Sequence, residues 1–261
     1  MSHIALKFSK EIKFDTKNLI KSEEIKLSQE NKKVIDDYKS STDFAEEYNF
    51  DIILQTEDSL VFGFDFLDAN KKLMLPEINP VTIYFLNATM STEKLSFYKS
   101  KLIEKAKIGV ISPHSFGDYF SLAFNCIINL QSALETFLNK GIEENNYIFY
   151  NKNQKKIQGN IHDKIDVAFP EIFNKNFKNE NLDDYNNLKY LIHLRNSMIH
   201  LKPEINDTNT KYKVPYRRII ECEFDKLIQS VGNYLNFYEE NIIELCDCEN
   251  NFALDIVSTI E

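Results

Sequence analysis

Residues 115–140 read SFGDYFSLAFNCIINLQSALETFLNK, and this stretch decides the fold of the second half of the chain. Its large apolar residues recur at steps of three, four and seven: Phe120, Phe124, Ile127, Leu134 and Leu138. Such steps place side chains on one face of an α-helix, so the spacing predicts a long amphipathic helix over about 115–140. Gly141 follows directly and favours a helix end there.

Downstream of this stretch the helical spacing continues in three further segments, which cover about 160–170, 183–201 and 216–246. A Lys- and Asn-rich run over 145–160 precedes them, and a loop begins at Pro203 because proline cannot continue a helix. Residues 113–250 are therefore predicted to form a four-helix bundle with one short extra turn.

The first 112 residues mix strand and helix patterns. Runs rich in β-branched and aromatic residues predict three strands, over 50–56, 59–68 and 81–86. Helices are predicted over 22–39 and 92–107, the second capped by Ser91 or Thr92. The fold class is therefore predicted to be α+β: a small N-terminal α+β domain of unknown role over 1–112, and then the all-α bundle.

Composition excludes several classes of protein. The chain has 261 residues, 27% of them charged, and a net charge of −9. A general nucleic-acid coat is excluded, because phosphate binding needs clustered positive charge. No run approaches the ~18 apolar residues of a membrane helix, and the N-terminus lacks the apolar core of a signal peptide. We therefore expect a cytoplasmic protein that does not contact membranes.

The four cysteines predict reduced thiols rather than a disulfide framework, because they are sparse. Cys246-x-Cys248 lacks the spacing of a zinc knuckle, and no Cys or His follows it. We therefore expect neither a metal nor a cofactor.

Basic residues form two clusters in the acidic second half, both in or beside predicted loops: Lys152, Lys155 and Lys156, and then Lys211, Lys213, Arg217 and Arg218. Two interpretations stay open. These side chains keep the chain soluble, or they follow the backbone of a bound RNA.

Residues 190–203 read YLIHLRNSMIHLKP and carry the groups best suited to chemistry. On a helix, Arg195 shares a face with three apolar residues: Leu188, Ile192 and Ile199. Arg195 is therefore predicted to point to the packed side, where a charge needs an acidic partner, a phosphate or an interface. An adjoining polar stripe contains His193, Asn196 and His200.

This set of side chains suits cleavage of a phosphodiester. A guanidinium can neutralise phosphate oxygens bidentately, and an imidazole can move protons near neutral pH. Asn196 can orient the imidazole or the phosphate, and no metal is required. Because attack by a 2′-hydroxyl needs two proton transfers, a two-fold dimer that presents the helix twice would complete the site.

The pattern Arg195-Asn196-x-x-x-His200, on a helix rich in Leu and Ile, resembles the HEPN superfamily, whose hallmark is Arg, four to six residues and then His. Residues 133–138 (ALETFL) resemble the family's helix that carries a Glu among apolar residues. Residues 161–165 (IHDKI) resemble its connecting turn. The resemblance covers about residues 113–245.

This resemblance implies a metal-independent endoribonuclease that acts as a toxin or an antiphage-defence effector and leaves 2′,3′-cyclic phosphate ends. It implies a homodimer whose motif helices meet, with Arg195, Asn196 and His200 in the shared catalytic site. Glu135 would pair with Arg195 or hold its orientation, and His193 would support the site or contact RNA. RNA, a second copy, and an antitoxin or other defence-system protein are the expected partners.

Other interpretations also remain open. The helical part can be an inactive HEPN-like module that dimerises or binds a ligand or protein, or a regulatory subunit of another nuclease. Arg195 can form a structural ion pair with Glu135, and His200 can interact with the helix dipole at a C-terminus.

Overall fold

The structure is a computed structural model that describes residues 3–13, 29–49, 51–56, 59–199, 212–246 and 255–260. The chain divides into two compact units. The helical unit contains Met1–Ala5 and Pro80–Cys246, and the sheet unit contains Leu6–Asn79 and Asp247–Glu261. The protein is therefore α+β, with helices and strands largely segregated along the chain.

Within the described ranges the strands are, in chain order, β1 (His3–Ile4), β2 (Glu11–Lys13), β3 (Asp51–Gln55), β4 (Ser59–Asp68), β5 (Lys71–Pro76), β6 (Phe149–Tyr150), β7 (Lys156–Ile157), β8 (Leu245–Cys246) and β9 (Asp255–Ile260). The α-helices are α1 (Gln29–Ser40), α2 (Pro80–Lys107), α3 (Pro113–Glu144), α4 (Ile161–Asp163), α5 (Phe169–Phe173), α6 (Phe177–Glu180), α7 (Leu182–Ile199), α8 (Lys213–Glu221) and α9 (Phe224–Tyr238). A π-helical turn, Lys164–Ala168, joins α4 to α5.

The sheet unit is built around β4, the longest strand of an antiparallel five-stranded sheet. The first half of β4 lies between β2 and β3, its second half pairs with β5, and β9 pairs with the other side of β3. Gly63 lies where β4 pairs with both β3 and β5. A Cβ there would lie 2.8 Å from Leu54 Cδ1 and 2.9 Å from the carbonyl oxygen of Leu75, so a side chain does not fit.

Tyr38 of α1 is buried in the core of the sheet unit, where the other buried members are Ala45, Ile52, Leu54 and Val61. Its hydroxyl donates a 2.6 Å hydrogen bond to the buried carboxylate of Asp65. Asp65 also accepts the backbone N–H of Ala45 at 3.2 Å. Burial and this hydrogen bond raise the pKa of the Tyr38 hydroxyl, which therefore remains a proton donor.

Helices α2, α3, α7 and α9 of the helical unit share one apolar core. α2 packs along α3, α7 packs along α9, and α3 also contacts α7 and α9. The predicted helix over 115–140 is confirmed as α3, whose periodic residues Ile127, Leu134 and Leu138 are fully buried. In the described part of the chain, every helix is too short or too polar to cross a membrane.

The third predicted strand is wrong, because its residues form the first turns of α2. Val81, Phe85 and Ala88 are all buried at steps of four and three, so core packing overrides the β-propensity of the run. Ser91 and Thr92, predicted as helix caps, lie inside α2. Their hydroxyls donate to carbonyls in the preceding turn at 2.8 and 2.7 Å.

The chain passes from the sheet unit to the helical unit at Pro80, whereas the domain boundary predicted at residues 112 and 113 lies between α2 and α3. Ser112 caps α3 by accepting the N–H of Ser115 at 3.2 Å, and Pro113 follows it in the first turn. This connection joins two helices of one core, because α2 buries its apolar face against α3.

The single helix predicted over 216–246 is two helices, α8 and α9. Cys222 interrupts them with an extended backbone, φ −65° and ψ 138°. The helix predicted over 22–39 is described as α1 from Gln29 onward, and its earlier residues lie outside the described ranges.

Candidate functional site

Helix α7 carries the motif residues and is tied to α9 at its start. Asp184 accepts 2.8 Å hydrogen bonds from Ser230 Oγ and from Asn233 Nδ2. A carboxylate in this first turn also interacts favourably with the helix dipole. The packed face of α7 consists of Tyr185, Leu188, Leu191, Ile192 and Leu194. These contacts make α7 a fixed support for the groups on its last turns.

Arg195 continues the packed face of α7, in line with Leu188, Leu191 and Ile192, but is not fully buried there. The arginine is half-buried, whereas Leu194 is fully buried and Ile199 is 47% exposed. The predicted stripe through Leu188, Ile192 and Arg195 therefore loses its burial towards the end of α7, where Ile199 is exposed. Arg195 Nη1 donates a 3.2 Å hydrogen bond to Asn196 Oδ1.

The predicted pairing of Arg195 with Glu135 does not occur in this structure. Glu135 is half-buried on α3, and no ion pair joins it to Arg195 within the residues that the structure describes. The guanidinium is therefore oriented by its own neighbour, Asn196.

His193 is exposed and contacts α8 directly. Its Nε2 lies 2.6 Å from Arg218 Nη1. Because a guanidinium only donates, Nε2 accepts this hydrogen bond. The Tyr190 hydroxyl donates to the carbonyl oxygen of Arg218 at 3.3 Å, which adds a second bond between α7 and α8.

These contacts place all three arginines of the chain on two helices that pack together. On α7, His193 contacts Arg218 and Arg195 contacts Asn196, but His193 and Arg195 are two residues apart and so point to different sides of the helix. On α8, Lys213 and Arg217 are exposed. We call these polar groups of the two helices the arginine face, and its members are His193, Arg195, Asn196, Lys213, Arg217 and Arg218.

The first predicted basic cluster lies on a separate element, the β6–β7 hairpin. Lys152, Lys155 and Lys156 are all exposed there. The Asn151 side chain shapes the turn by accepting the N–H groups of Asn153 and Lys155, each at 2.9 Å.

Two predicted site residues, His200 and Lys211, lie outside the described residues, as does the loop between them. The structure therefore describes Arg195 and Asn196 but not the position of the motif histidine. The role of His200 stays a prediction.

Sequence reasoning missed a charged network at the other end of α7. Lys189 Nζ lies 2.6 Å from Asp166 Oδ2 and 2.9 Å from His162 Nδ1, and Tyr185 donates to Asp166 Oδ1 at 2.9 Å. Burial and the Lys189 charge lower the pKa of His162. Asp166 belongs to the π-helical turn, which an apolar repeat of three and four residues does not indicate.

No family model matches the chain, and no curated protein or solved structure matches it either.

Proposed function

We propose that the protein is a metal-independent endoribonuclease of the HEPN type, and that the arginine face holds its RNA. The observation that carries this proposal is that all three arginines of a chain whose net charge is −9 lie on α7 and α8, two helices that pack together. Local positive charge on an acidic protein favours a specific anionic substrate over general binding of nucleic acid.

Spare hydrogen-bond donors support a role in phosphate binding. A guanidinium has five N–H donors, and Asn196 is the acceptor that the described residues supply to Arg195. The half-buried position excludes part of the solvent, which strengthens the attraction between the guanidinium and a phosphate. Arg195 is therefore suited to bind the two non-bridging oxygens of the scissile phosphate.

Cleavage would follow the chemistry of 2′-hydroxyl attack. A base removes the 2′-hydroxyl proton, the 2′-oxygen bonds to phosphorus, and the bond from phosphorus to the 5′-oxygen breaks. An acid delivers a proton to the 5′-oxygen, which leaves a 2′,3′-cyclic phosphate and a 5′-hydroxyl. His200 would supply one of these proton transfers and His200 of a second copy the other, in a homodimer with the motif helices facing each other.

The same proposal extends to biological role and partners. A ribonuclease whose site is completed by dimerisation suits a cytoplasmic toxin or antiphage-defence effector, restrained by an antitoxin or another defence-system protein. α3, α7 and α9 would supply most of the HEPN-like four-helix bundle, and the role of the sheet unit stays open.

Purified protein in EDTA tests the proposal. We expect cutting of RNA with cyclic phosphate ends, and loss of cutting in Arg195→Ala and His200→Ala that keep the wild-type circular dichroism. Arg195→Lys is the matched variant, since it keeps the positive charge but loses the planar guanidinium that donates two parallel hydrogen bonds to a phosphate. Lys226→Ala, on the exposed side of α9, controls for charge removal elsewhere. Cutting that needs a divalent metal, or that both alanine variants retain, would contradict the proposal.

A second candidate is a non-catalytic interaction module, and the exposure of Ile199 favours it. This residue is 47% exposed one turn beyond Arg195, and an apolar group beside an arginine is common in protein interfaces. Gel filtration with light scattering separates the two functions. If Ile199→Asp and Arg195→Ala both dissociate a dimer that never cuts RNA, the module is the better description.

A further inference from the structure

The helical unit contains a cleft of about 370 Å³ beneath the β6–β7 hairpin. We call it the hairpin cleft, and its lining includes Asn139, Ile142, Tyr147, Lys156, Ile157 and Lys164. Sites for small molecules have volumes of about 300–1,000 Å³, so the cleft can hold a small ligand.

Lys164 is the feature that points to the chemistry of that ligand. The residue is only 8% exposed, and its Nζ donates a 2.5 Å hydrogen bond to Asn139 Oδ1. Among the residues that the structure describes, no carboxylate lies within ion-pair distance of this ammonium. An ammonium has three donors, and a buried cation without an opposite charge is costly. The cleft therefore provides a positive charge that lacks its anion.

The local backbone keeps Lys164 in this position. It begins the π-helical turn, a rare conformation that often occurs at functional sites. The carboxylate of the preceding residue, Asp163, accepts the backbone N–H of Asn160 at 3.0 Å in a capping box. The nearest acidic residue in sequence is thus engaged by the backbone and does not neutralise the ammonium.

The walls of the cleft are held before any ligand binds. The Phe149 ring packs on Gly159, where a Cβ would approach it to 2.5 Å. The Tyr147 hydroxyl donates a 2.5 Å hydrogen bond to Glu171. At the rim, Lys156 and Glu143 are both exposed, so solvent screens their charges and the buried ammonium dominates the interior.

We propose that the hairpin cleft binds a small organic molecule through an oxyanion, a phosphate or a carboxylate, that pairs with Lys164. Lys156 is the second cation at the entrance, and Ile142 and Ile157 contact the apolar part of the ligand. This site is independent of the arginine face and does not rest on the proposed ribonuclease activity.

Thermal melting of the full chain tests the site with phenyl phosphate and benzoate as probes, at ionic strength matched with chloride. At a probe concentration of about ten times its dissociation constant, we expect one of the two probes to raise the Tm by roughly 2–5 °C. A shift with phenyl phosphate alone assigns a phosphate ligand, and a shift with benzoate alone assigns a carboxylate. Acetic anhydride footprinting should show protection of Lys164 by the same probe and no protection of Lys152.

Two variants that preserve volume sharpen the test. Lys164→Met removes the cation and should weaken binding roughly tenfold or more. Asn139→Asp supplies an internal counter-charge at the ammonium, so it should weaken binding similarly while the unliganded Tm does not fall. Lys152→Gln, on the exposed tip of the same hairpin, is the control and should bind as wild type does.

Equal shifts in wild type and Lys164→Met, or no shift with either probe, would overturn the site. A short RNA that displaces phenyl phosphate with a steep salt dependence would instead assign the cleft to an RNA backbone and overturn the small-molecule proposal.

Discussion

The sheet unit and the arginine face each contain a polar cluster, but the two clusters satisfy their hydrogen bonds differently. In the sheet unit, Asp65 is buried and accepts from Tyr38 and Ala45. On the arginine face, Arg195 is half-buried and donates to Asn196 alone among the described residues. Asp65 therefore accepts its hydrogen bonds from groups inside the fold, whereas Arg195 has N–H donors left for another molecule. The difference separates a polar group that stabilises the protein from one that can bind a ligand.

The largest effect that we expect is on activity. Arg195→Ala should lower the rate of RNA cleavage by about 10²–10³-fold, because removal of one charge-stabilising donor costs roughly that much. The same variant should lower the free energy of unfolding by about 1 kcal/mol or less, because Arg195 is half-buried and loses one side-chain hydrogen bond. Single-turnover cleavage and urea unfolding measure the two quantities. A large loss of stability would show that Arg195, like Asp65, mainly stabilises the fold, and the difference between the two clusters would no longer hold.

Asp65→Ala should give the opposite result. It leaves the buried Tyr38 hydroxyl and the Ala45 N–H without their acceptor, so the free energy of unfolding should fall by about 2–4 kcal/mol. RNA cleavage at a temperature where the variant is folded should be unchanged. Hydrogen exchange read by mass spectrometry should show faster exchange in residues 29–76, and Asp65→Asn, which can still accept, should lose less.

Gly63→Ala tests the packing of the sheet unit. The added Cβ would lie 2.9 Å from the backbone oxygen of Leu75, which cannot move aside cheaply. We expect a loss of about 1–3 kcal/mol from the free energy of unfolding, as for other overpacked positions. Gly117→Ala is the matched control, because a Cβ at that helical position would meet nothing within 4 Å beyond its chain neighbours and its own helix backbone. A stable Gly63→Ala protein would show that β3 and β5 can separate at β4.

The smallest effect concerns pH and His162. Burial and Lys189 lower its pKa below the ordinary value of 6.5, so the unfolded chain binds more protons than the folded one between the two values. Its stability contribution is therefore complete above about pH 6.5 and is lost as the pH falls towards the folded pKa. Because the side chain is exposed, we expect only a few tenths of a kcal/mol. Urea unfolding of wild type and His162→Gln from pH 5 to 8 should show a smaller pH slope in the variant.

The sequence predicts the long regular elements well, because their periodic patterns are strong. Helix α3 has an apolar repeat over its whole length, and β3 and β4 have dense β-branched and aromatic runs. The prediction of a strand over 81–86 is wrong, although it rests on the same kind of pattern that predicts β4 correctly. Val81 and Phe85 have high β-propensity in any surroundings. Only the core of the helical unit shows that these residues belong to a helix.

The candidate site is predictable in its composition but less so in its geometry. Helical spacing places Arg195 in line with the buried residues Leu188 and Ile192, but it cannot determine where along the stripe burial ends. The bond between His193 and Arg218 depends on the packing of α7 against α8, and no local pattern contains that information. The burial of Lys164 depends on a π-helical turn, which a repeat of three and four residues does not indicate.

The order of the segments has a consequence for biosynthesis. Strand β9, at residues 255–260, pairs with β3, although the helices α2 to α9 of the helical unit are encoded between them. A ribosome therefore completes every residue of the helical unit before it makes the last strand of the sheet. The helical unit can begin to fold on the nascent chain while the sheet still lacks one edge. A chain that stops before residue 255 would keep the arginine face and leave β3 open to strands from other molecules.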